Sequence, residues 1–341
     1  MKKFIAYFDY LGFKQFIENN DLTYQKKIMG NNFRDIENAL GQGKLKEATH
    51  GVISDLSLHK INCINFSDTI VFWSNDDSED SLNEILQVAH RFNWQATTYF
   101  FPARGSIVYG EIEYIDFKNE NISGGVYNIN SVFGRGLVDA HQKAESQQWS
   151  GTVIDTSFIE ELQNRGIDVD SLLAPYARKY IVPYKNGIKL AEEYALRLIK
   201  GELNPVAFDN VAHGIKENFK SYNKDASHPD VQEKIENTIE FLNGVRSSTA
   251  FSNGDYEILR NHFRKSELNQ FYLFVIKRVL YVKKFSESED KVIPALMKTL
   301  TDRVGKTSVN PETDEEITLL IETLYAVLMA IDITEVYNTD I

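Results

Sequence analysis

The chain has 341 residues, 43% hydrophobic and 25% charged, with 37 basic against 49 acidic side chains and a net charge of -12. That length and make-up allow one large or two modest globular cores. The acidic balance argues against a nucleic-acid-coating or membrane-surface protein, either of which needs a broad basic face. Cys63 is the only cysteine, so no intrachain disulfide forms and a reducing cytoplasm is the expected location. Lys2-Lys3 leads into a short strand interrupted by Asp9, which is not a secretory signal. The most apolar late segment, Ile317 to Ile331, contains Glu322 and is shorter than the roughly twenty residues a membrane span needs.

In chain order, Lys2 to Phe8 reads as a strand that is apolar on both faces and ends at Asp9, just before the turn Leu11-Gly12-Phe13. Lys14 to Glu18 and Tyr24 to Leu40 carry helical spacing of apolar residues, and Gly41-Gln42-Gly43 stops the second helix. Lys60 to Phe66 and Thr69 to Ser74 read as a hairpin with Ser67-Asp68 at its tip. The acidic loop 76–80 precedes a helix from Ser81 to Thr97, closed by Phe100-Phe101-Pro102. Arg104 to Asp116 is strand-like, Lys118 to Asn130 an Asn- and Gly-rich loop, Leu137 to Gln147 a short helix and Gly151 to Asp155 another strand. The resulting order, β-α-α-β-β-α-β-α-β, fits crossover helices packed on a mostly antiparallel sheet. A further strand pair is expected from Tyr176 to Leu190, turning at Lys185-Asn186-Gly187, whose Asn-Gly suits a tight hairpin. Residues 191 to 245 read as helical, and Asp255 to Phe285, Asp290 to Gly305 and Asp314 to Tyr337 as three further helices. The domain expectation is 1–190 for the first domain, 191–250 for a helical extension and 251–341 for a helical C-terminal module.

Asp9 and Asp68 each close an apolar strand where a sharp turn begins. Alone, Asp9 suits a helix cap and Asp68 a turn; as a pair in this order they suit divalent metal ions, with the helix start after Asp9 a place for polyphosphate. Residues two apart share a strand face, which puts Tyr7 beside Asp9 and Phe66 beside Asp68 as walls of one pocket. Arg104, opening the next strand, is a candidate to neutralise phosphate or pair with a base. His141 and Cys63 have no partner set of metal spacing.

The Asp-X-X-Gly-Phe turn, the second Asp some sixty residues on, and Arg104-Gly105-Ser106-Ile107-Val108-Tyr109-Gly110-Glu111 together resemble a class III nucleotide cyclase domain. Phe133 to Glu145 occupies the place of that family's Gly-led Val-Asn-X-X-X-Arg helix, and the likeness runs to about residue 245. Within the class, Leu11-Gly12-Phe13-Lys14, Val182-Pro183-Tyr184-Lys185 and Lys234 to Phe241 resemble the pyrimidine cyclases of the bacterial Pycsar anti-phage system. The fold this implies is α+β, a ferredoxin-like cyclase palm with a C-terminal all-helical extension.

The implied activity is cyclisation of UTP, or CTP, to the 3′,5′-cyclic monophosphate and pyrophosphate, with two Mn²⁺ or Mg²⁺ ions per site held by Asp9, Asp68 and the Tyr10 carbonyl. By the same resemblance, Asp139 and Lys143 stand at the transition-state positions, where the family carries Asn and Arg, whereas counting from Gly134 selects Val138 and Gln142. Tyr7, Phe13, Phe66, Arg104 and Lys185 are the expected nucleotide-binding residues. At the two purine-reading positions stand Ile64 and Ser131, and an isoleucine makes no hydrogen bond to a purine edge. The resemblance further implies a homodimer with shared active sites, and a downstream cyclic-nucleotide-sensing effector reached only through the product. The open alternatives are a purine cyclase and a non-catalytic nucleotide-binding relative.

Overall fold

The computed structural model describes residues 2–49, 51–99, 101–187, 191–199, 203, 205–244, 253–282, 289–304 and 313–330. Two compact units emerge: residues 1–198 with 214–241, and residues 199–213 with 242–341.

The first unit opens with β1 (Lys2–Tyr10), α1 (Phe13–Glu18) and α2 (Leu22–Leu40), the last capped by the Asp21 carboxylate on the Tyr24 amide. Two hairpins follow, β2 (Leu45–Ala48) with β3 (Gly51–Ser54) and β4 (Ile61–Phe66) with β5 (Thr69–Ser74). Next come α3 (Glu79–Tyr99), β6 (Ala103–Glu111), β7 (Glu113–Glu120), β8 (Val126–Phe133) and α4 (Arg135–Glu145). Then β9 (Thr152–Ile154), α5 (Thr156–Asn164), α6 (Val169–Leu173), β10 (Ala177–Tyr180) and β11 (Glu193–Leu196) complete the strands. The helices α7 (Pro205–Lys220), α8 (Pro229–Asn243), α9 (Asn253–Phe263), α10 (Leu268–Val282), α11 (Glu289–Val304) and α12 (Asp314–Ala330) finish the described chain.

The main sheet has seven strands in the order β10-β11-β9-β6-β1-β5-β4. Within it, β6-β1-β5-β4 are antiparallel neighbours, with helices between β1 and β4 and between β5 and β6. This is the ferredoxin-like split β-α-β order, extended on the β6 side by β9, parallel to β6, and by antiparallel β11 and β10. The α+β class read from the sequence is what the sheet displays. On one face Phe4, Ala6, Phe8, Tyr10, Phe72 and Ile107 bury against α2, α3 and α5. On the other, Ile5, Tyr7, Val71, Trp73 and Val108 meet Ala140 and Ala144 of α4. A strand apolar on both faces is what such a two-sided central position requires. The second unit has its own core, in which Phe271, Val275, Ile276 and Val279 of α10 pack with Leu296 of α11 and Ile321 and Leu324 of α12. Among the described residues no helix is long and apolar enough to cross a membrane.

Several sequence expectations are corrected. The segment 118–130 is not a loop: β7 and β8 pair from Glu113–Phe133 to Glu120–Val126. Asn121, Gly124 and Gly125 make the turn, where the Asn121 side chain accepts from the Ser123 and Gly125 amides at 3.0 and 2.9 Å, while Asn119, Asn128 and Asn130 lie in the strands. The expected strand from Arg104 to Asp116 is two strands, parted at Ile112. Residues 191–245 are not all helical, because β11 joins the sheet between β10 and β9. The pair expected within 176–190 is instead β10 with β11, and Lys185–Gly187 forms one tight 3₁₀ turn with Asn186 and Gly187 at φ 64 and 67; residues 188–190 lie outside the described chain. The helix expected over 255–285 is two, α9 and α10, and residues 331–337 of the last expected helix are outside the described residues.

Candidate active site

The end of β1 sets the site. Gly12, at φ 78, turns the chain into α1 with no side-chain cap, so Asp9 is not spent on capping that helix. A left-handed backbone at this point favours glycine. The Tyr10 amide donates to the Asp68 carbonyl at 3.0 Å and the Leu11 amide to the Pro102 carbonyl at 2.8 Å. The first bond holds the Asp9 turn against the β4–β5 tip, where Ser67 adopts φ 57, and the second ties it to the residue before β6. The two acids feel one another: the Asp68 charge pushes the Asp9 carboxyl up.

The antiparallel β1–β6 register sets Arg104 directly across from Asp9. Its Nε and Nη2 donate to Asp9 Oδ2 at 3.1 and 2.9 Å, and Oδ1 accepts no hydrogen bond among the described residues. Arg104 also donates through Nη2 to Glu145 Oε2 and through Nη1 to the Glu145 carbonyl at 3.3 Å. Glu145 Oε1 in turn accepts from Lys185 Nζ at 2.5 Å. The result is a row of alternating charge, Asp9–Arg104–Glu145–Lys185. Burial raises the Asp9 carboxyl; Arg104 opposes this by charge and hydrogen bond, Asp68 and Glu145 add to it, and the pKa ends above the usual range. For Glu145, burial also acts upward, but the Lys185 hydrogen bond and the charges of Arg104, Lys185 and His141 hold it below its ordinary value.

Helix α4 brings Glu145 to this row because of a small-residue stripe. Gly136, Ala140 and Ala144 fall four apart on its buried side, and a Cβ on Gly110 would lie 2.6 Å from the Gly136 Cα. The backbones therefore meet closely, and Ser106 Oγ donates to the Ala140 carbonyl at 2.7 Å. One position further round, His141 and Glu145 face the site. His141 Nδ1 lies 3.0 Å from the Tyr7 hydroxyl, which is 3.4 Å from Thr69 Oγ1. Burial foremost, aided by the charges of Asp9 and Asp68, pushes the Tyr7 phenol up. A cleft of about 620 Å³ opens beyond Glu145, lined by His141, Lys143, Glu145, Tyr184 and Lys185 among others.

Of the sequence candidates, Asp9, Arg104 and Lys185 are thus linked by direct contacts or through Glu145, Asp68 and the Tyr10 backbone adjoin them, and Tyr7 meets the same helix through His141. The Tyr10 side chain points into the opposite core with Phe92 and Phe101. So does Phe13, against Phe16 and Phe101. Phe66 shares the sheet face of Asp9 through Thr69, but at 78% exposure it does not wall a pocket with Tyr7; the two-residue alternation ends at the Ser67 turn. Asp139 pairs with Arg135 at 2.9 Å on the surface. Lys143 pairs with Glu193, lies 3.9 Å from Asp155 and sits 5.2 Å over the Tyr184 ring. Glu145 and Thr69 were not singled out from sequence, and His141 was weighed only as a metal ligand and set aside; the 136/140/144 spacing was the available signal for Glu145 and His141.

The donor set suits Mg²⁺ or Mn²⁺. Such ions use one or two carboxylates with substrate phosphates and not a closed protein cage, and no group of three or more His, Cys, Asp or Glu that could hold a metal is present among the described residues. Asp9, with Oδ1 open, and Asp68 would supply those carboxylates.

No family profile matches the sequence, and no curated protein matches it. Among solved structures, the chain is similar to the guanylate cyclase domain of RhGC from Catenaria anguillulae in complex with GTP, at 8% identity over 57% of this chain and 96% of that one, with a TM-score of 0.38. It is also similar to the dimeric guanylyl cyclase domain of the RhoGC fusion protein from Blastocladiella emersonii, at 9% identity over 57% and 95% of the two chains, TM-score 0.38. At these values the reading of the site rests on the chain's own residues.

Proposed function

We propose that this chain is a nucleotide cyclase acting on a pyrimidine nucleoside triphosphate, UTP before CTP. The observation that carries the reading is the pair Asp9 and Asp68, fixed at adjacent strand ends by the Tyr10–Asp68 backbone bond and continued by Arg104, Glu145 and Lys185 to an open cleft. In the reaction the ribose 3′ oxygen bonds to the α-phosphorus, the bond from that phosphorus to the β-bridging oxygen breaks, pyrophosphate leaves, and the hydroxyl proton passes to solvent. When bound at Asp9 and Asp68, divalent ions would ease loss of that proton and offset phosphate charge. The chain's residues orient the triphosphate, and proximity does much of the rest because nucleophile and electrophile belong to one molecule. Ile64 supports a pyrimidine: it packs with the Ile5, Val71 and Trp73 cluster and offers no polar group to a purine edge. Assembly as a homodimer with shared sites, a product signal in anti-phage defence and a cytoplasmic location complete the proposal. A non-catalytic nucleotide-binding role is the second reading, favoured by one observation: Lys143 is engaged by Glu193 instead of facing Asp9.

The test is to incubate the purified protein with each of the four nucleoside triphosphates and Mn²⁺ and resolve the cyclic products. Cyclic UMP or cyclic CMP is expected, and Asp9→Ala or Asp68→Ala should cut turnover by about a thousandfold or more while the fold is kept. Near-normal turnover in either variant, or metal-nucleotide binding without any cyclisation by the parent, refutes the reading.

A further inference from the structure

Glu145 bridges two residues read from sequence, Arg104 and Lys185, and the cyclase reading gives it no chemical role. Its two carboxylate oxygens are divided between two cations, Oε2 taking Arg104 and Oε1 taking Lys185. It also stands at the last turn of α4 on the wall of the 620 Å³ cleft, beside His141 and Lys143. Two cations bridged by one bidentate anion, at the edge of a cleft wide enough for a phosphate chain, is an anion position already filled from within the chain.

We propose that Glu145 is a specificity-determining residue for phosphate charge: its carboxylate occupies the place a phosphate group takes between Arg104 and Lys185, so that a polyphosphate displaces it and a less charged phosphate does not. The proposal rests on the reading of this cleft as a nucleoside triphosphate site. A tethered carboxylate competes at high effective concentration, because its position costs no association entropy. Orthophosphate carries at most about two charges near neutral pH and gains little over the carboxylate it must expel. A triphosphate brings more charge and more acceptor oxygens to Arg104 and Lys185. Displacement is local. Glu145 is half-exposed and its side chain can rotate outward from the end of α4 without breaking the Ala140 and Ala144 contacts to the sheet, while Arg104 keeps its two bonds to Asp9. Monophosphates are thereby disfavoured at the site relative to triphosphates.

The experiment uses the full chain in EDTA, so that no metal takes part, and measures binding of inorganic tripolyphosphate and orthophosphate by calorimetry at constant ionic strength. The parent should prefer tripolyphosphate by about a hundredfold. Glu145→Gln, which keeps shape and removes the competing charge, should bind orthophosphate about tenfold tighter and narrow that preference, in line with loss of a charged competitor. Glu145→Asp, still an anion, should keep most of the parent's preference, and Lys185→Met should weaken both anions. An unchanged or weaker orthophosphate affinity in a folded Glu145→Gln protein overturns the inference, as does absence of tripolyphosphate binding by both proteins. Failure of the cyclase reading shows separately, as no cyclic product from any triphosphate whatever the calorimetry returns.

Discussion

Replacing Lys224 by methionine should stabilise the first unit, by an amount that depends on pH in a defined direction. The Lys224 ammonium is buried and makes no hydrogen bond in the described structure; its neighbours are the Phe101 ring at 4.0 Å and the Tyr222 ring at 5.7 Å. Burial pushes its pKa down from 10.5 to about 7, which at ~1.4 kcal/mol per pH unit is worth about 5 kcal/mol against the folded state. Cation–π attraction returns ~1–2 kcal/mol, leaving a penalty of about 3 kcal/mol. Between pH ~7 and ~10.5 the unfolded lysine holds a proton that the folded one has released, so stability rises with pH through that window. The penalty is full below pH ~7 and relieved above ~10.5.

Lys224→Met should therefore gain about 3 kcal/mol at pH 6.5 and less than ~1 kcal/mol by pH 10.5. Urea unfolding followed by tryptophan fluorescence reads this out, because Trp73, Trp94 and Trp149, the only tryptophans, all belong to the unit that contains Lys224. Methionine keeps the hydrocarbon stem, which matters locally: a Cβ on Gly12 would lie 3.0 Å from Lys224 Cδ, so this stem supports the turn after Asp9. Nucleotide turnover should survive the change. A variant no more stable than the parent at pH 6.5, or a difference that stays constant up to pH 10.5, refutes the reasoning.

Asp35 should behave as the acidic counterpart. Burial raises its carboxyl from 3.8 to about 7; the folded state holds a proton in that interval that the unfolded state has lost, so stability falls as pH rises through it. Asp35→Asn should match the parent below pH ~4 and exceed it by ~2–4 kcal/mol at pH 8 in the same urea titration. Gly136→Ala places a methyl group 2.7 Å from Ile5 Cδ1 and 2.8 Å from the Gly110 backbone. It should cost ~1–3 kcal/mol and, by lifting α4 from β6, weaken tripolyphosphate binding in the calorimetric assay.

The acids were legible in the sequence and the row joining them to Lys185 was not, for a physical reason. An apolar run that stops at one carboxylate is a local pattern, so β1, the β4–β5 hairpin and the two turns could be read directly. The contact of Arg104 with Asp9 depends on the β1–β6 register, in which Tyr10 faces Ala103 and Lys2 faces Glu111; a slip of one residue would send Arg104 to the other face of the sheet. No local signal fixes that register. Phe66 shows the opposite error: the alternation rule was sound, but it was carried across Ser67, where the backbone is left-handed and the rule no longer applies. Lys143 was placed by the likeness of its helix to the family's. A likeness within one helix cannot foresee that β11, a strand expected as helix, brings Glu193 within reach of its ammonium.

The same register explains how a chain with net charge -12 can keep cations available to an anion. Free lysines and arginines in an acidic protein are drawn to the nearest carboxylate, and isolated exposed pairs of this kind contribute little. Here the pairing is arranged in sequence along one line, with Arg104 the most enclosed member between two carboxylates and Lys185 at the open end. Arg104 is needed where it is, because without it Asp9 would be a half-buried charge pushed still further toward protonation by Asp68 and Glu145, and a protonated carboxyl is a poor metal ligand. Removing Glu145 leaves that protection intact, since both Arg104 bonds to Asp9 remain. Removing Arg104 does not. On the proposed reading, metal affinity at the acids and phosphate selectivity at the cleft would be separable functions of one ion-pair row, and substitutions at its two ends should change one without the other.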